Sequence, residues 1–170
     1  MFKRTLLILV IALFTTTLFA QNIENDSIAT YYLIRHAEKD RSDTTNKNPD
    51  LTEKGQQRAE SWNQLFKKFE IDAVYSTNYK RTLSTALPTA VHNKLTIKTY
   101  HPFQIDFQQF IIDTKGKSVL VVGHSNTTPG FANKLIGKEV YQDINDNNNS
   151  NLYIVTIKGN EVSHVLVRMK

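Results

Sequence analysis

Three short apolar runs, each breaking off into polar residues and each followed by a helical pattern, constrain this chain more than any other feature. Tyr31-Tyr32-Leu33-Ile34 runs into Arg35-His36-Ala37-Glu38-Lys39. Ala73-Val74-Tyr75 runs into Ser76-Thr77-Asn78, and Ser118-Val119-Leu120-Val121-Val122 into Gly123-His124-Ser125-Asn126-Thr127. Unalternating runs this short, rich in branched and aromatic residues, are buried strands. Strands alternating with helices predict an α/β fold, a three-layer sandwich with a mostly parallel sheet flanked by helices. Ligands of such sheets bind beyond the carboxyl ends of the strands. Those ends are where the polar clusters fall.

The intervening segments read as helices. From Thr52, residues Ala59, Trp62, Leu65, Phe66 and Phe69 recur on one face, and Leu83, Ala86, Leu87, Ala90 and Val91 trace a second, which Pro88 should kink or end. Ser76, Thr77 and Asn78 are capping types for that second helix. Residues 95–100 alternate as a strand; Phe103, Phe107, Phe110 and Ile111 predict a third helix, stopped near Lys115-Gly116. A fourth can begin at Pro129 and close at Gly137. After an Asn/Asp-rich loop over residues 143–151, residues 152–157 and 162–167 predict a C-terminal β-hairpin.

The chain has 170 residues, enough for one well-buried domain. We assign that domain to residues 21–170. In residues 1–20, Lys3 and Arg4 precede an apolar run from Leu6 to Phe14 and a Thr-rich stretch ending at Ala20, the pattern of a signal peptide. The run is short of the roughly 20 residues a spanning helix needs. Export to the periplasm or medium, with no stable membrane span after cleavage, is the expectation. There is no Cys, which excludes disulfides and thiolate chemistry. Cleavage would remove two positive charges from a formal net charge of +5, leaving a mildly basic protein suited to a small anion but without the dense Lys/Arg stripe of a nucleic-acid binder.

Arg35, Arg81, His36 and His124 are therefore predicted to converge at one sheet edge. The Arg fork matches phosphate oxygens in pairs. A His set against two cations has its charged form disfavoured, which keeps it neutral and nucleophilic. That suits His36. His124 can become a protonated donor once a dianion is bound. Phosphoryl transfer needs mainly in-line positioning and charge stabilisation, which these groups supply without a metal or other cofactor.

Leu33-Ile34-Arg35-His36-Ala37-Glu38, Tyr75-Ser76-Thr77-Asn78-Tyr79-Lys80-Arg81-Thr82 leading into Thr85-Ala86, and Val122-Gly123-His124-Ser125-Asn126-Thr127 resemble, in order and spacing, the histidine phosphatase superfamily, which includes phosphoglycerate mutases and small phosphohistidine phosphatases. Leu51-Thr52-Glu53-Lys54-Gly55 also looks like the start of a helix in that family. The resemblance implies that His36 is the phosphorylated nucleophile, with Arg35, Arg81 and His124 forming the phosphate pocket. Ala37 stands where many members have Gly, tolerable where the backbone avoids positive φ.

Many members use a carboxylate to protonate the leaving group, and here Asp106 and Glu38 are both candidates, by type and by place in the chain. Ser125 and Asn126 are expected to hydrogen-bond within the pocket. Ser125 sits in no Gly-x-Ser-x-Gly elbow, so a serine nucleophile is set aside. His92, His101 and His164 lack ligand spacing and read as surface residues. The loop at residues 143–148 departs from a calcium loop at its Gly and Glu positions.

The expected activity is hydrolysis of phosphate esters or phosphoramidates, on a phosphorylated small molecule or a phosphoprotein. A mutase and an inactive phosphate-binding module are the alternatives. Residues 40–50 and 100–106 remain as the substrate-selecting loops.

Overall fold

The computed structural model describes residues 27–169, so the signal-peptide reading of residues 1–20 lies outside the described residues. The chain alternates as expected: β1 (Ile28–Arg35), α1 (Glu53–Phe66), β2 (Ala73–Thr77), α2 (Lys80–His92), β3 (Ile97–Tyr100), α3 (Phe107–Asp113), β4 (Ser118–Gly123), α4 (Thr127–Ile136), β5 (Asn151–Lys158) and β6 (Glu161–Arg168). The six strands form one sheet in the order β3-β2-β4-β1-β5-β6. The first four in that order run parallel, and β5 and β6 are antiparallel additions joined by the hairpin. No helix among the described residues is long and apolar enough to cross a membrane.

The central strands are buried on both faces, which is why their sequences run apolar without alternation. Tyr31, Leu33, Val119 and Val121 face one way and pack with Phe110 of α3 and Phe131 of α4. Tyr32, Ile34, Leu120 and Val122 face the other way, against Trp62 and Phe66 of α1 and Ala86 of α2. Adjacent side chains of one strand thus feed two separate cores.

Several local expectations change. Helix α1 ends at Phe66, and Phe69 lies beyond it, packing on Tyr32 with ring centroids 5.2 Å apart. In α2 the buried face carries Thr82, Thr85, Ala86, Thr89 and Ala90, whereas Leu87 and Val91 are 52% and 67% exposed. Thr82 and Thr85 can be buried because their hydroxyls donate to the carbonyls of Thr77 and Arg81, both at 2.7 Å. Pro88 does not end the helix, which continues to His92. The residue before α2 is Tyr79, with no side-chain cap, so Ser76, Thr77 and Asn78 do not cap it. Phe103 falls outside α3, which Asp106 caps through its carboxylate. Pro129 takes the third position of α4, and Gly137 closes that helix at φ 79° as expected. His164 is half-buried and pairs with the Tyr141 hydroxyl at 2.8 Å.

Candidate active site

Strands β1 and β4 are parallel neighbours in a register that pairs Arg35 with Gly123, so the next residue of each, His36 and His124, emerges at the same sheet edge. The His36 amide donates to the Gly123 carbonyl at 2.9 Å, carrying the pairing past the strand end. The two imidazoles stand edge to face with centroids 5.5 Å apart. Thr77, at the end of the adjacent β2, supplies the third strand end and touches His124.

His36 is 3% exposed. Its Nδ1 lies 2.7 Å from the Ala37 carbonyl, which can only accept, so Nδ1 carries the proton and Nε2 keeps the lone pair. The surrounding backbone is fixed by two side chains: Asn149 donates to the His36 carbonyl at 2.8 Å, and the Ala37 amide donates to the Thr85 hydroxyl at 2.9 Å. Burial, then the Arg35, Arg81 and His124 charges, lower the His36 pKa to about 3 against the partial opposition of the Ala37 hydrogen bond.

A chain of hydroxyls fixes the second imidazole. The Thr82 hydroxyl donates to the Thr77 carbonyl, and the Thr77 hydroxyl donates to Thr82 Oγ1 at 3.0 Å. Thr77 Oγ1 is then left to accept from His124 Nε2, 2.9 Å away. His124 Nε2 therefore holds the proton, and Nδ1 faces Nη2 of Arg81 at 3.5 Å. Burial, followed by Arg81, Arg35 and Lys39, lowers the His124 pKa to about 4.

Both rings are thus neutral in the folded protein at pH 7. The unfolded chain, with its imidazoles near 6.5, takes up protons first as pH falls. The stability these two groups contribute is complete above pH 6.5 and is lost as pH falls toward 4 and 3. We expect Tm to drop by several degrees between pH 7 and pH 5. A His36→Asn/His124→Asn double variant should flatten that segment of the Tm curve, and an equal drop in the variant would remove the assignment.

The two Arg side chains differ. Arg35 is 2% exposed, and its Nη1 donates to the carbonyls of Asn145, Asp146 and Asn148 at 2.9 to 3.1 Å, while Nη2 pairs with the Asp146 carboxylate at 2.5 Å. Its Nε is buried with no partner among the described residues. In place of the free fork expected from the sequence, Nη1 and one N–H of Nη2 are committed to the 145–148 loop, and the Nε edge remains for a ligand. Asp146 also binds Arg41 at 2.7 Å. Arg81 lies over the Tyr79 ring, 4.4 Å from its centroid, and its Nε is likewise buried without a partner.

Arg81 and His124 line a cavity of about 530 Å³, which Asn126 also borders. The Ser125 carbonyl accepts from the Ile144 amide, and Ser125 does not border that cavity. Neither carboxylate candidate does either. Asp106 is exposed and accepts from the Gln109 amide at the start of α3. Glu38 is held in a three-bond fork by Arg58 at 2.8 to 3.0 Å, and those bonds together with Lys54 outweigh burial and lower its pKa. Both are tied to structural partners. Among the described residues no cluster of three or more His, Cys, Asp or Glu could hold a metal ion.

Thr77, Thr82, Thr85, Asp146 and Asn149 escape a reading based on strand ends. The first three look like caps or helix surface, and the last two like residues of a turn-rich loop. The density of Asn and Asp in residues 143–151 was the available signal, because such side chains bind backbone groups.

The family model of the histidine phosphatase superfamily (branch 1) matches residues 31–104, which carry His36 and Arg81 and stop short of His124. No curated protein is significantly similar in sequence. Among solved structures, the protein histidine phosphatase SixA complexed with tungstate is similar at TM-score 0.64 and 15% identity, over 82% of this chain and 96% of that one. A phosphoglycerate mutase from Bacillus anthracis is similar at TM-score 0.64 and 14% identity, over 85% and 94%. A mycobacterial glucosyl-3-phosphoglycerate phosphatase is similar at TM-score 0.57 and 10% identity, over 83% and 98%. At these identities the likeness is one of fold.

Proposed function

We propose that this member of the histidine phosphatase superfamily hydrolyses phosphate esters or phosphoramidates through a covalent phosphohistidine on His36. One observation carries the reading: among the described residues, Nε of Arg35 and Nε of Arg81 are buried donors without acceptors, and both cations act on an imidazole whose Nε2 keeps its lone pair. A buried unpartnered donor is costly, more so when charged. A phosphoryl dianion would satisfy both.

In the first step the lone pair of His36 Nε2 attacks phosphorus, and the bond to the leaving oxygen or nitrogen breaks with its electron pair. The Ala37 carbonyl holds the Nδ1 proton of the ring as positive charge develops on it. The bound dianion favours the charged form of His124, whose Nδ1 then donates to a phosphoryl oxygen. In the second step water attacks the phosphohistidine in line, the N–P bond returns its pair to Nε2, and phosphate departs. The proton given up by water balances the one the leaving group takes. The site is built for charge stabilisation and positioning, the principal demands of this chemistry.

The residues support hydrolysis of a bound phosphoryl group. Export of the protein belongs to the same proposal, resting on Lys3, Arg4 and the apolar run that follows.

Rapid quenching of the enzyme with radiolabelled substrate tests the mechanism. The expected result is about one phosphate per chain, stable to base, labile to acid, and located on His36 by peptide mapping. Label elsewhere, or turnover with no label under single-turnover conditions, would overturn it.

A further inference from the structure

The cavity bordered by Arg81 and His124, whose lining does not include His36 or Arg35, is larger than a phosphoryl group requires. Its roughly 530 Å³ lies within the range of small-molecule pockets, and from Arg81 and His124 it extends over the segment after β3 to Phe103. Phe103 is 74% exposed, its ring centroid 6.1 Å from that of His101, and Tyr79 is 39% exposed at the same cavity. Tyr79 is fixed there by Arg81 on its face and by His124 edge to face at 5.0 Å. One end of the cavity is cationic and the other presents aromatic rings.

Among the described residues, none that lines the cavity is a carboxylate. Asp106 is spent on a helix cap and Glu38 on Arg58. The buried Tyr100 hydroxyl, which also lines the cavity, is held above the ordinary range of a phenol by burial and is a poor proton donor. An alkoxide leaving group needs a proton as it departs. An aryloxide is a far weaker base and does not.

We propose that the chain prefers phosphate monoesters of phenolic oxygens, with the ring of the leaving group against Phe103 and Tyr79. The inference rests on the phosphatase reading above. The aryl O–P bond breaks with its electron pair on oxygen, the aryloxide leaves unassisted, and the proton released by water during dephosphorylation neutralises it in solvent.

Three substrates test this. Phenyl phosphate and 2-naphthyl phosphate have leaving oxygens of similar acidity and differ in ring area; glycerol 3-phosphate has an alkyl leaving group. kcat/KM should be about tenfold higher for naphthyl than for phenyl, the scale of one favourable ring contact, and at least a hundredfold lower for glycerol 3-phosphate. Phe103→Ala should erase most of the naphthyl advantage through KM, and Phe103→Trp should retain it. Phe103 is exposed, so neither variant threatens folding. Equal rates on the aryl and alkyl esters, or an unchanged naphthyl-to-phenyl ratio in Phe103→Ala, would overturn this inference alone. Failure to hydrolyse any of the three, with no label on His36, would overturn the phosphatase reading and this inference with it.

Discussion

Replacing His36 with Ala lowers kcat/KM for p-nitrophenyl phosphate by on the order of 10⁴-fold or more, the scale seen when a covalent nucleophile is removed. The side chain qualifies on three counts. It is buried, its Nδ1 proton is tied to the Ala37 carbonyl, and its pKa is lowered to about 3, so the attacking nitrogen is unprotonated throughout the neutral range. Among the described residues at this edge, no other combines a free lone pair with that setting. His124 Nδ1 faces the Arg81 guanidinium, and its ring is anchored through Nε2 to Thr77. The measurement is steady-state hydrolysis with and without EDTA, beside thermal unfolding of each protein. Activity that survives EDTA in the unmodified chain and disappears in a folded His36→Ala variant is the expected pair of results. Activity retained in the variant within tenfold would remove His36 from the mechanism.

The strand ends were the most legible part of the site because apolar residues give way to charged and polar ones there within one position, although Arg35 and His36 stay almost as buried as Ile34. Ile34 is fully buried in a core, while Arg35 and His36 turn to the edge. Parallel pairing of β1 with β4 then does what no local pattern reveals: it brings two segments 88 positions apart into the register that sets His36 beside His124. The motifs alone told which residues would meet. They did not tell what each residue would be holding.

The misread parts share a physical cause. Thr77, Thr82 and Thr85 satisfy their hydroxyls locally and so can be buried where an apolar residue was expected, rotating the buried face of α2 away from Leu87 and Val91. Arg35 was read as a free fork because the sequence contains nothing near it that would occupy the fork. Its partners lie more than a hundred residues away, in carbonyls of the 145–148 loop, and backbone acceptors leave no trace in residue type. The two carboxylates were candidates by type and by place in the chain, and each has a structural partner, the Gln109 amide for Asp106 and Arg58 for Glu38.

Gly55 carries the largest expected effect on folding. The N-terminus of α1 rests directly on residue 38: the Thr52 amide donates to the Glu38 carbonyl at 2.9 Å, and Thr52 caps the helix by accepting from the Gly55 amide at 3.1 Å. A Cβ on Gly55 would lie 2.2 Å from Glu38 O, 3.0 Å from Glu38 C and 3.1 Å from Glu38 N. All three are backbone atoms, so no rotamer change relieves the contact, and the helix or the 37–39 segment must move. Overpacking of this kind costs on the order of 3 kcal/mol. For a chain of this size that is a fall in Tm of about 10 °C. Because Ala37 both precedes Glu38 and holds Nδ1 of His36, a displaced segment also tilts the nucleophile, and kcat should fall even at temperatures where the variant is folded. Gly130 provides the contrast within α4: a Cβ there meets nothing within 4 Å, and Gly130→Ala should raise stability by about 1 kcal/mol through helix propensity. Differential scanning calorimetry on the two variants separates the causes, since backbone entropy alone would stabilise both. A Gly55→Ala protein that melts with or above the unmodified chain would show that α1 does not bear on the segment behind His36.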